Sequence, residues 1–134
     1  MPLVTIDLLK GRKREELDAI SDAVHEAMVQ QFDVPERDRF QIITEHEPGT
    51  LRFDRSYLDI NRDEQFVLIR ITLAAGRTTD AKRAFYHRLC ELLTTRVGVP
   101  PEDLAVAMVE NAREDWSFGH GQASYLELPR EAWR

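Results

Sequence analysis

The feature that most constrains the fold of this chain is an internal repeat at an offset of 65 residues. The stretch LVTIDLLKGR, residues 3–12, aligns without a gap on LIRITLAAGR, residues 68–77, and the match continues to Glu45 and Glu110. Identity is modest, but the hydrophobic pattern agrees along almost the whole span. One supersecondary unit is therefore present twice, and the fold must pack two copies of it together.

Each repeat contains the pattern of a strand, a helix and a second strand. In the first repeat Val4, Ile6 and Leu8 form the apolar half of an alternating run, which predicts a strand that is buried on one face. The predicted first strands are residues 3–9 and 66–73, the helices are residues 14–31 and 79–97, and the second strands are residues 40–44 and 104–109. The helices carry apolar stripes formed by Leu17, Ile20, Val24, Ala27 and Met28 in the first repeat and by Phe85, Leu89, Leu92 and Leu93 in the second.

A strand–helix–strand connection is right-handed and makes its two strands parallel. Two such units predict an α+β fold, in which tandem β-α-β units form a four-stranded sheet with two helices on one face. The opposite face of the sheet has no helix to cover it, so the pattern also predicts a symmetric oligomer.

The chain is interpreted as a single domain, residues 1–134, with pseudo-repeats at 2–46 and 67–111 and a C-terminal segment at 112–134. The linker at 47–65 is rich in charge and turn formers, which indicates a long surface loop with room for a short extra strand. In the C-terminal segment, Gly119 and Gly121 lie among aromatic residues. This composition predicts a tight turn or hairpin that packs over an edge or a pocket mouth.

Composition excludes several classes of function. The formal net charge of −6 provides no basic surface for nucleic acid. No apolar run is long enough to cross a membrane, and the N-terminus lacks the pattern of a signal peptide. The single cysteine, Cys90, falls within a helical apolar pattern and is interpreted as a small core side chain; it favours a cytoplasmic location.

The same scan gives no reason to expect a metal or an organic cofactor. No set of histidine, cysteine and carboxylate residues has the spacing of a metal site, and the chain has no glycine-rich phosphate loop.

Pro2 introduces the first strand and has two interpretations. Proline lacks a backbone donor, so it is tolerated as the first residue of a strand. If Met1 is removed, however, Pro2 becomes a free secondary amine that can act as a general acid, a general base or a nucleophile. Val67 occupies the equivalent position of the second repeat and has no free amine. Such chemistry would therefore be restricted to one of the two pseudo-equivalent sites.

Three features make the chain resemble the tautomerase superfamily. The repeat opens with Met-Pro and continues through Gly-Arg, an amphipathic helix and IITE, as in the short subunit of 4-oxalocrotonate tautomerase. The duplicated, longer form resembles the malonate semialdehyde decarboxylases, and the stretches VPERDRFQI and ENAREDWSFGHGQA carry that match. The resemblance covers nearly the whole chain and implies a homotrimer that acts on small oxo acids without a cofactor.

The resemblance also implies roles for individual residues. Pro2 would be the catalytic amine, Asp38 its acidic neighbour and Arg77 the ligand of the substrate carboxylate. Trp116 and Phe118 would form an apolar wall.

The sequence also departs from the pattern of the family. Ala75 stands where some decarboxylases have a second arginine, so Thr72 or residues of a loop are expected to assist Arg77 in binding the substrate. Phe40 replaces an arginine of the short tautomerases. Fewer cations near the amine favour its protonated form, which suits decarboxylation better than proton abstraction.

The expected function is thus decarboxylation of a small oxo acid such as malonate semialdehyde, with hydratase activity as a side reaction. Keto–enol tautomerisation of phenylpyruvate or 2-hydroxymuconate and a non-enzymatic role on the same scaffold remain alternatives. Structural interpretations also stay open, because Gly-Arg and Asp recur in both repeats. Arg77 and Asp38 could belong to ordinary turns, and Trp116 could be edge packing.

Overall fold

The computed structural model describes residues 2–134, so the predicted removal of Met1 concerns a residue outside the described part of the chain. Four strands and two long helices form the body of the molecule, followed by a short C-terminal helix. In chain order these are β1 (Pro2–Leu9), α1 (Arg14–Phe32), β2 (Phe40–His46), β3 (Val67–Ala74), α2 (Thr79–Val97), β4 (Leu104–Asn111) and α3 (Ser124–Glu127).

The strands form one mixed sheet in the order β2-β1-β3-β4. Within each repeat the two strands are parallel, whereas β1 and β3 are antiparallel at the centre. Thr5 pairs with Arg70, which is its own equivalent in the second repeat, so the two units are related by an approximate two-fold axis through this pair. The predicted α+β fold with two β-α-β units is confirmed.

Both long helices cover the same face of the sheet. Val4, Ile6 and Leu8 point into the core with the alternate residues of β3, and the predicted stripes of both helices are buried there. Phe32 of α1 stacks on Phe85 of α2 at 4.9 Å between ring centroids. This single core joins the two repeats, and its burial is the main source of stability.

The predicted element boundaries differ from the structure mostly at strand ends. Helix α2 has the predicted bounds, and α1 extends one residue further, to Phe32. Strands β2 and β4 continue two residues beyond their predicted ends, to His46 and Asn111. In both repeats a backbone amide just after the first strand donates to this last residue: Lys10 N lies 2.9 Å from the His46 oxygen, and Ala75 N lies 2.8 Å from the Asn111 oxygen.

The helix-free face of the sheet is open in the single chain. Phe40, Ile42 and Val109 expose 46%, 52% and 60% of their surface on or beside this face. At its centre Asp7 accepts hydrogen bonds from His46 at 2.7 Å and from Arg70 at 3.2 Å. An open sheet face that exposes large apolar side chains around a paired polar centre is suited to burial against other subunits.

The linker and the C-terminal segment are irregular. In the linker the predicted extra strand is reduced to a bridge between Pro48 and Leu51, followed by a helical turn at Tyr57–Asp59. Around His120 the chain makes a turn that leads into α3. No helix within residues 2–134 is both long and apolar enough to cross a membrane.

Candidate active site

A cavity of about 620 Å³ opens at the edge of the sheet where β1 begins and β3 ends. The turn before β2, the turn after β3 and the C-terminal segment form its walls. Asp38 and Arg77, both predicted site residues, line it together. The fold thus brings one predicted carboxylate and one predicted guanidinium to the same cavity from different repeats.

Arg77 is held in place by the turn that follows β3. Gly76 has φ of 132°, a conformation that side-chain-bearing residues rarely adopt, so glycine is required for this turn. The Arg77 guanidinium donates to the Ala74 carbonyl at 3.0 Å and lies 5.5 Å from the centre of the Phe32 ring. One carbonyl and one aromatic face leave several of its donors available for a ligand.

Asp38 lies in the turn that leads into β2 and is 7% exposed. Its backbone amide donates to the Pro35 carbonyl at 2.9 Å, which fixes the turn. Burial raises the pKa of the Asp38 carboxyl, while the charges of His25 and Arg77 oppose that rise. A buried acid of this kind interacts strongly with any cation placed beside it.

Pro2 is buried and lies opposite Leu73, near the end of β3, in the antiparallel pairing of β1 with β3. Its neighbour Leu3 pairs with Phe40, two residues after Asp38. The start of β1 therefore lies between the Asp38 turn and the residues that lead to Arg77.

Tyr125 is a site residue that the sequence interpretation did not single out. It lies on α3 and lines the cavity with Asp38 and Arg77. Burial, assisted by the negative charge of Asp38, raises the pKa of the Tyr125 hydroxyl, while Arg77 and Arg113 act in the opposite direction. The phenol therefore stays protonated at neutral pH and can donate a hydrogen bond into the site.

A second cavity of about 360 Å³ adjoins the first and shares Asp38 and Tyr125 with it. Its walls are mostly apolar. Phe40 and Phe118 contact each other at 5.3 Å, and Phe118 meets Tyr125 edge-on at 5.7 Å. We call the first cavity the arginine chamber and the second the aromatic chamber; their common wall is formed by Pro35, Asp38, Tyr125, Trp133 and Arg134.

Of the two residues predicted to form an apolar wall, Phe118 lines a cavity and Trp116 packs against Phe118. Phe118 lines the aromatic chamber, and Trp116 stacks on it from behind at 5.4 Å, with the rings nearly parallel. The Trp116 indole donates to Asn111 at 2.8 Å, and the amide of Phe118 donates to the buried Ser124 hydroxyl at 2.9 Å. Among the described residues Trp116 and Thr72 line neither chamber; Thr72 pairs with Leu3 within the sheet.

The mouth of the arginine chamber contains further cations. Arg113 and Arg130 lie 5.2 and 5.8 Å from the centre of the Trp133 ring, and Trp133 meets Tyr125 edge-on at 4.9 Å. Sequence reasoning predicted that this segment covers a pocket mouth but selected none of these residues, because its pattern has no regular period.

The pseudo-equivalent corner at the opposite end of the sheet is filled by the chain itself. Arg12 corresponds to Arg77, but it donates to the Gln65 carbonyl at 2.8 Å. Asp103 corresponds to Asp38, and it accepts the Asp63 backbone amide at 2.8 Å. The linker thus occupies the place that corresponds to the open chamber between Asp38 and Arg77.

The side chains of the arginine chamber offer charge and hydrogen bonds rather than a metal-binding set. Within residues 2–134 no group of three or more histidine, cysteine or carboxylate residues is arranged to hold a metal ion.

Comparisons with known proteins point to one family. Two models, each described as "Tautomerase enzyme", match residues 38–119 and 2–54. Two curated proteins of Bacillus subtilis (strain 168) are similar along nearly their whole length. "Probable tautomerase YusQ" is 36% identical over 95% of this chain and 100% of its own. "Probable tautomerase YrdN" is 38% identical over 94% of this chain and 97% of its own.

Solved structures agree with this similarity. A malonate semialdehyde decarboxylase, described with decarboxylase and hydratase activities, has a TM-score of 0.88 at 37% identity, covering 92% of this chain and 95% of its own. The FG41 malonate semialdehyde decarboxylase, inhibited by 3-bromopropiolate, has a TM-score of 0.87 at 41% identity. The match covers 92% of this chain and 94% of that one. A fused 4-OT symmetric trimer shares the fold with a TM-score of 0.73 at 20% identity. The match covers 90% of this chain and 94% of that one.

Proposed function

The chain belongs to the tautomerase superfamily of enzymes, and we propose that it decarboxylates a 3-oxo acid by means of Pro2 as an N-terminal amine. The observation that carries the proposal is the convergence of Asp38 and Arg77 on one chamber at the start of β1. The solved relatives at 37% and 41% identity, both named malonate semialdehyde decarboxylases, support the choice of reaction.

Decarboxylation needs a group that stabilises the negative charge which develops on the oxo oxygen. With Met1 removed, Pro2 is a secondary amine, and its protonated form supplies a hydrogen-bond donor with a positive charge. A carboxylate beside an amine favours the charged form of the amine. Asp38, buried in the turn next to β1, is the group that fits this role.

Arg77 is proposed to bind the substrate carboxylate. A guanidinium binds a carboxylate through two parallel hydrogen bonds, which also fixes its plane. The Phe32 ring and the Ala74 carbonyl restrict the Arg77 side chain, so the bound carboxylate is oriented relative to Pro2. Orientation matters because the bond to the departing carboxylate must stand out of the plane of the oxo group.

Tyr125 is proposed as a second donor to the oxo oxygen. Tyr125 lines both chambers, and its hydroxyl is protonated at neutral pH because burial raises its pKa. Phe118, stacked on Trp116, supplies low polarity next to the reacting carbon. Thr72 lies outside both chambers within the described chain and is left out of the proposed site.

The proposal is tested by assaying N-terminally processed protein with malonate semialdehyde and following release of carbon dioxide. Because the amine must be protonated, kcat/KM should fall as pH rises through the pKa of the amine. Asp38→Asn should shift this basic limb to lower pH, since the acid that favours the cation is gone. Glu36→Gln, which changes another carboxylate of the same chamber, is the control and should leave the limb in place.

Keto–enol tautomerisation is the second candidate, because the two Bacillus relatives are named probable tautomerases. A tautomerase needs a neutral amine to remove a proton. Its activity would rise through the pKa of the amine, opposite to the decarboxylase. Phenylpyruvate assayed over the same pH range therefore separates the two reactions.

A homotrimer is proposed as the functional assembly. The open sheet face with Ile42 and Val109 supports burial against other copies, and a fused 4-OT protein with the same fold is described as a symmetric trimer. A cytoplasmic location is also proposed, on the basis of the single cysteine.

A further inference from the structure

Resting on the decarboxylase function above, we propose that the preferred substrate carries an apolar substituent on its oxo carbon, R–CO–CH₂–COO⁻, and that this substituent binds in the aromatic chamber. The proposal deepens the function by naming the substrate class. It follows from the way the two chambers meet at Asp38 and Tyr125.

The two chambers differ in chemistry on either side of the shared wall. Arg77 lies in the arginine chamber, which is the side for a carboxylate. Phe40, Phe118 and Leu128 lie in the aromatic chamber, whose lining is mainly apolar, although Arg37 and Arg134 also contribute to it. A ligand whose reacting carbons lie at Asp38 and Tyr125 therefore extends its charged end one way and an apolar end the other way.

The aromatic chamber is too large to be explained by a three-carbon acid. Pockets of roughly 300–1,000 Å³ hold drug-sized ligands, and this chamber alone has about 360 Å³. In 3-oxopropanoate the oxo carbon carries only a hydrogen, so nothing would enter the chamber. An alkyl group at that carbon would contact the Phe40 and Phe118 rings and displace water from them.

The chamber walls are built to keep their shape. The Phe118 amide donates to Ser124, which is 5% exposed, and the Phe118 ring contacts the rings of both Trp116 and Phe40. Walls that are fixed in this way bind an apolar group without the cost of ordering them first.

The reaction balances for this class without any added reagent. The bond between the carboxylate carbon and C2 breaks, and its electron pair forms the C2–C3 double bond of an enol as the oxo oxygen receives a proton from the Pro2 amine. Carbon dioxide leaves. The enol then takes a proton at C2 from water and returns its hydroxyl proton to the Pro2 amine, which yields the methyl ketone R–CO–CH₃ with net uptake of one proton from solvent.

The test is a series of substrates for the N-terminally processed protein: 3-oxopropanoate, 3-oxobutanoate, 3-oxopentanoate and 3-oxohexanoate, each corrected for spontaneous decarboxylation. Between the four-carbon and the six-carbon acid, kcat/KM should rise by about fourfold for each methylene that is added and buried. Leu128→Trp, which fills part of the chamber, should remove this gain. Leu126→Trp is the control, because Leu126 is exposed on α3 and should leave the gain unchanged.

Binding of unreactive analogues provides a readout that is independent of turnover. By calorimetry, 3-hydroxyhexanoate should bind more tightly than 3-hydroxybutanoate by about fourfold per methylene, and Leu128→Trp should abolish the difference. Turnover of 3-oxopropanoate with no gain along either series would overturn the substrate class and leave the decarboxylase function intact. A length-dependent affinity without turnover of any oxo acid would instead remove the decarboxylase function. A subunit neighbour seated in the chamber would overturn the substrate class.

Discussion

Arg12 and Arg77 occupy equivalent positions in the two repeats but have different partners. The Arg12 guanidinium donates to the Gln65 carbonyl and is closed off by the linker, whereas Arg77 lines the arginine chamber. The approximate two-fold axis therefore relates one open corner and one filled corner. The same residue type serves structure at one end of the sheet and is available for a ligand at the other.

The pair provides the first prediction. Arg77→Ala should lower kcat/KM by about 10- to 100-fold, because a charge-assisted pair with the substrate carboxylate, worth roughly 1.5–3 kcal/mol, is lost. Arg12→Ala should leave kcat/KM within about twofold but lower the midpoint of urea unfolding, because the linker loses its anchor. Steady-state kinetics and urea titration on both variants check this. Equal kinetic losses would assign the two arginines to the same structural role.

The second prediction concerns the N-terminus. Protein that retains Met1 has an amide nitrogen at Pro2, which is neither basic nor nucleophilic, so its activity should be lower by about 10²-fold or more. Pro2→Ala should keep part of the activity once Met1 is removed, because a protonated primary amine still polarises a carbonyl. Mass spectrometry of the N-terminus, paired with the decarboxylase assay, measures both quantities. Full turnover by protein that carries Met1 on every chain would dismiss the amine mechanism and return Pro2 to a purely structural role.

The third prediction concerns Asp103, the equivalent of Asp38, which is 1% exposed. Burial, with the nearby Asp63 carboxyl, raises the pKa of Asp103. The pKa of such an acid is higher in the folded protein than in the unfolded chain, where it is about 3.9. Its protonated form therefore stabilises the fold at pH values below about 3.9, and this contribution is lost as the pH rises through the pKa of the folded protein. Asp103→Asn keeps an acceptor for the Asp63 amide but does not ionise. The variant's Tm relative to wild type should therefore increase from pH 4 to pH 7.

A matched control for this measurement is Asp18→Asn, which removes the same charge from an exposed position on α1. Its Tm difference from wild type should stay nearly constant over the same pH range. A flat difference for Asp103→Asn would mean that the buried acid does not destabilise the fold on ionisation.

The fourth prediction concerns assembly. Ile42→Glu places a charge on the open sheet face, and burying an unpaired charge in an interface is strongly unfavourable. The mass measured by sedimentation equilibrium should fall from that of three chains to that of one chain. Tyr86→Glu, on the exposed side of α2, should leave the mass unchanged. A wild-type protein that is monomeric at micromolar concentration would contradict the proposed trimer.

The elements of the fold could be predicted because their signals are local and periodic. The apolar stripe of α2 and the Thr79–Val97 bounds follow from a pattern within a single helix. The ends of β2 and β4 could not be read in this way. His46 and Asn111 become strand residues through hydrogen bonds to distant amides, and those depend on the neighbouring strand.

The candidate site was predictable only in part. Asp38 and Arg77 stand in motifs that a family resemblance can match residue by residue. Tyr125, Arg113 and Trp133 lie in the aperiodic C-terminal segment, where position depends on contacts such as those of Ser124 with Phe118. No local pattern encodes such contacts, so only the structure shows that these three residues line the same cavity as Asp38 and Arg77.

The sequence by itself determined that the molecule is built from two copies of one β-α-β unit, because an offset of 65 residues preserves the same hydrophobic period in both. The tertiary structure decided which of the two equivalent corners is open. In the second unit the linker runs directly into β3, and its residues Asp63 and Gln65 bond to Asp103 and Arg12. At the other corner, which combines Asp38 of the first unit with Arg77 of the second, the corresponding space is a chamber. Two equivalent corners of the sequence thus differ in the structure, because the linker contacts only the one beside the start of β3.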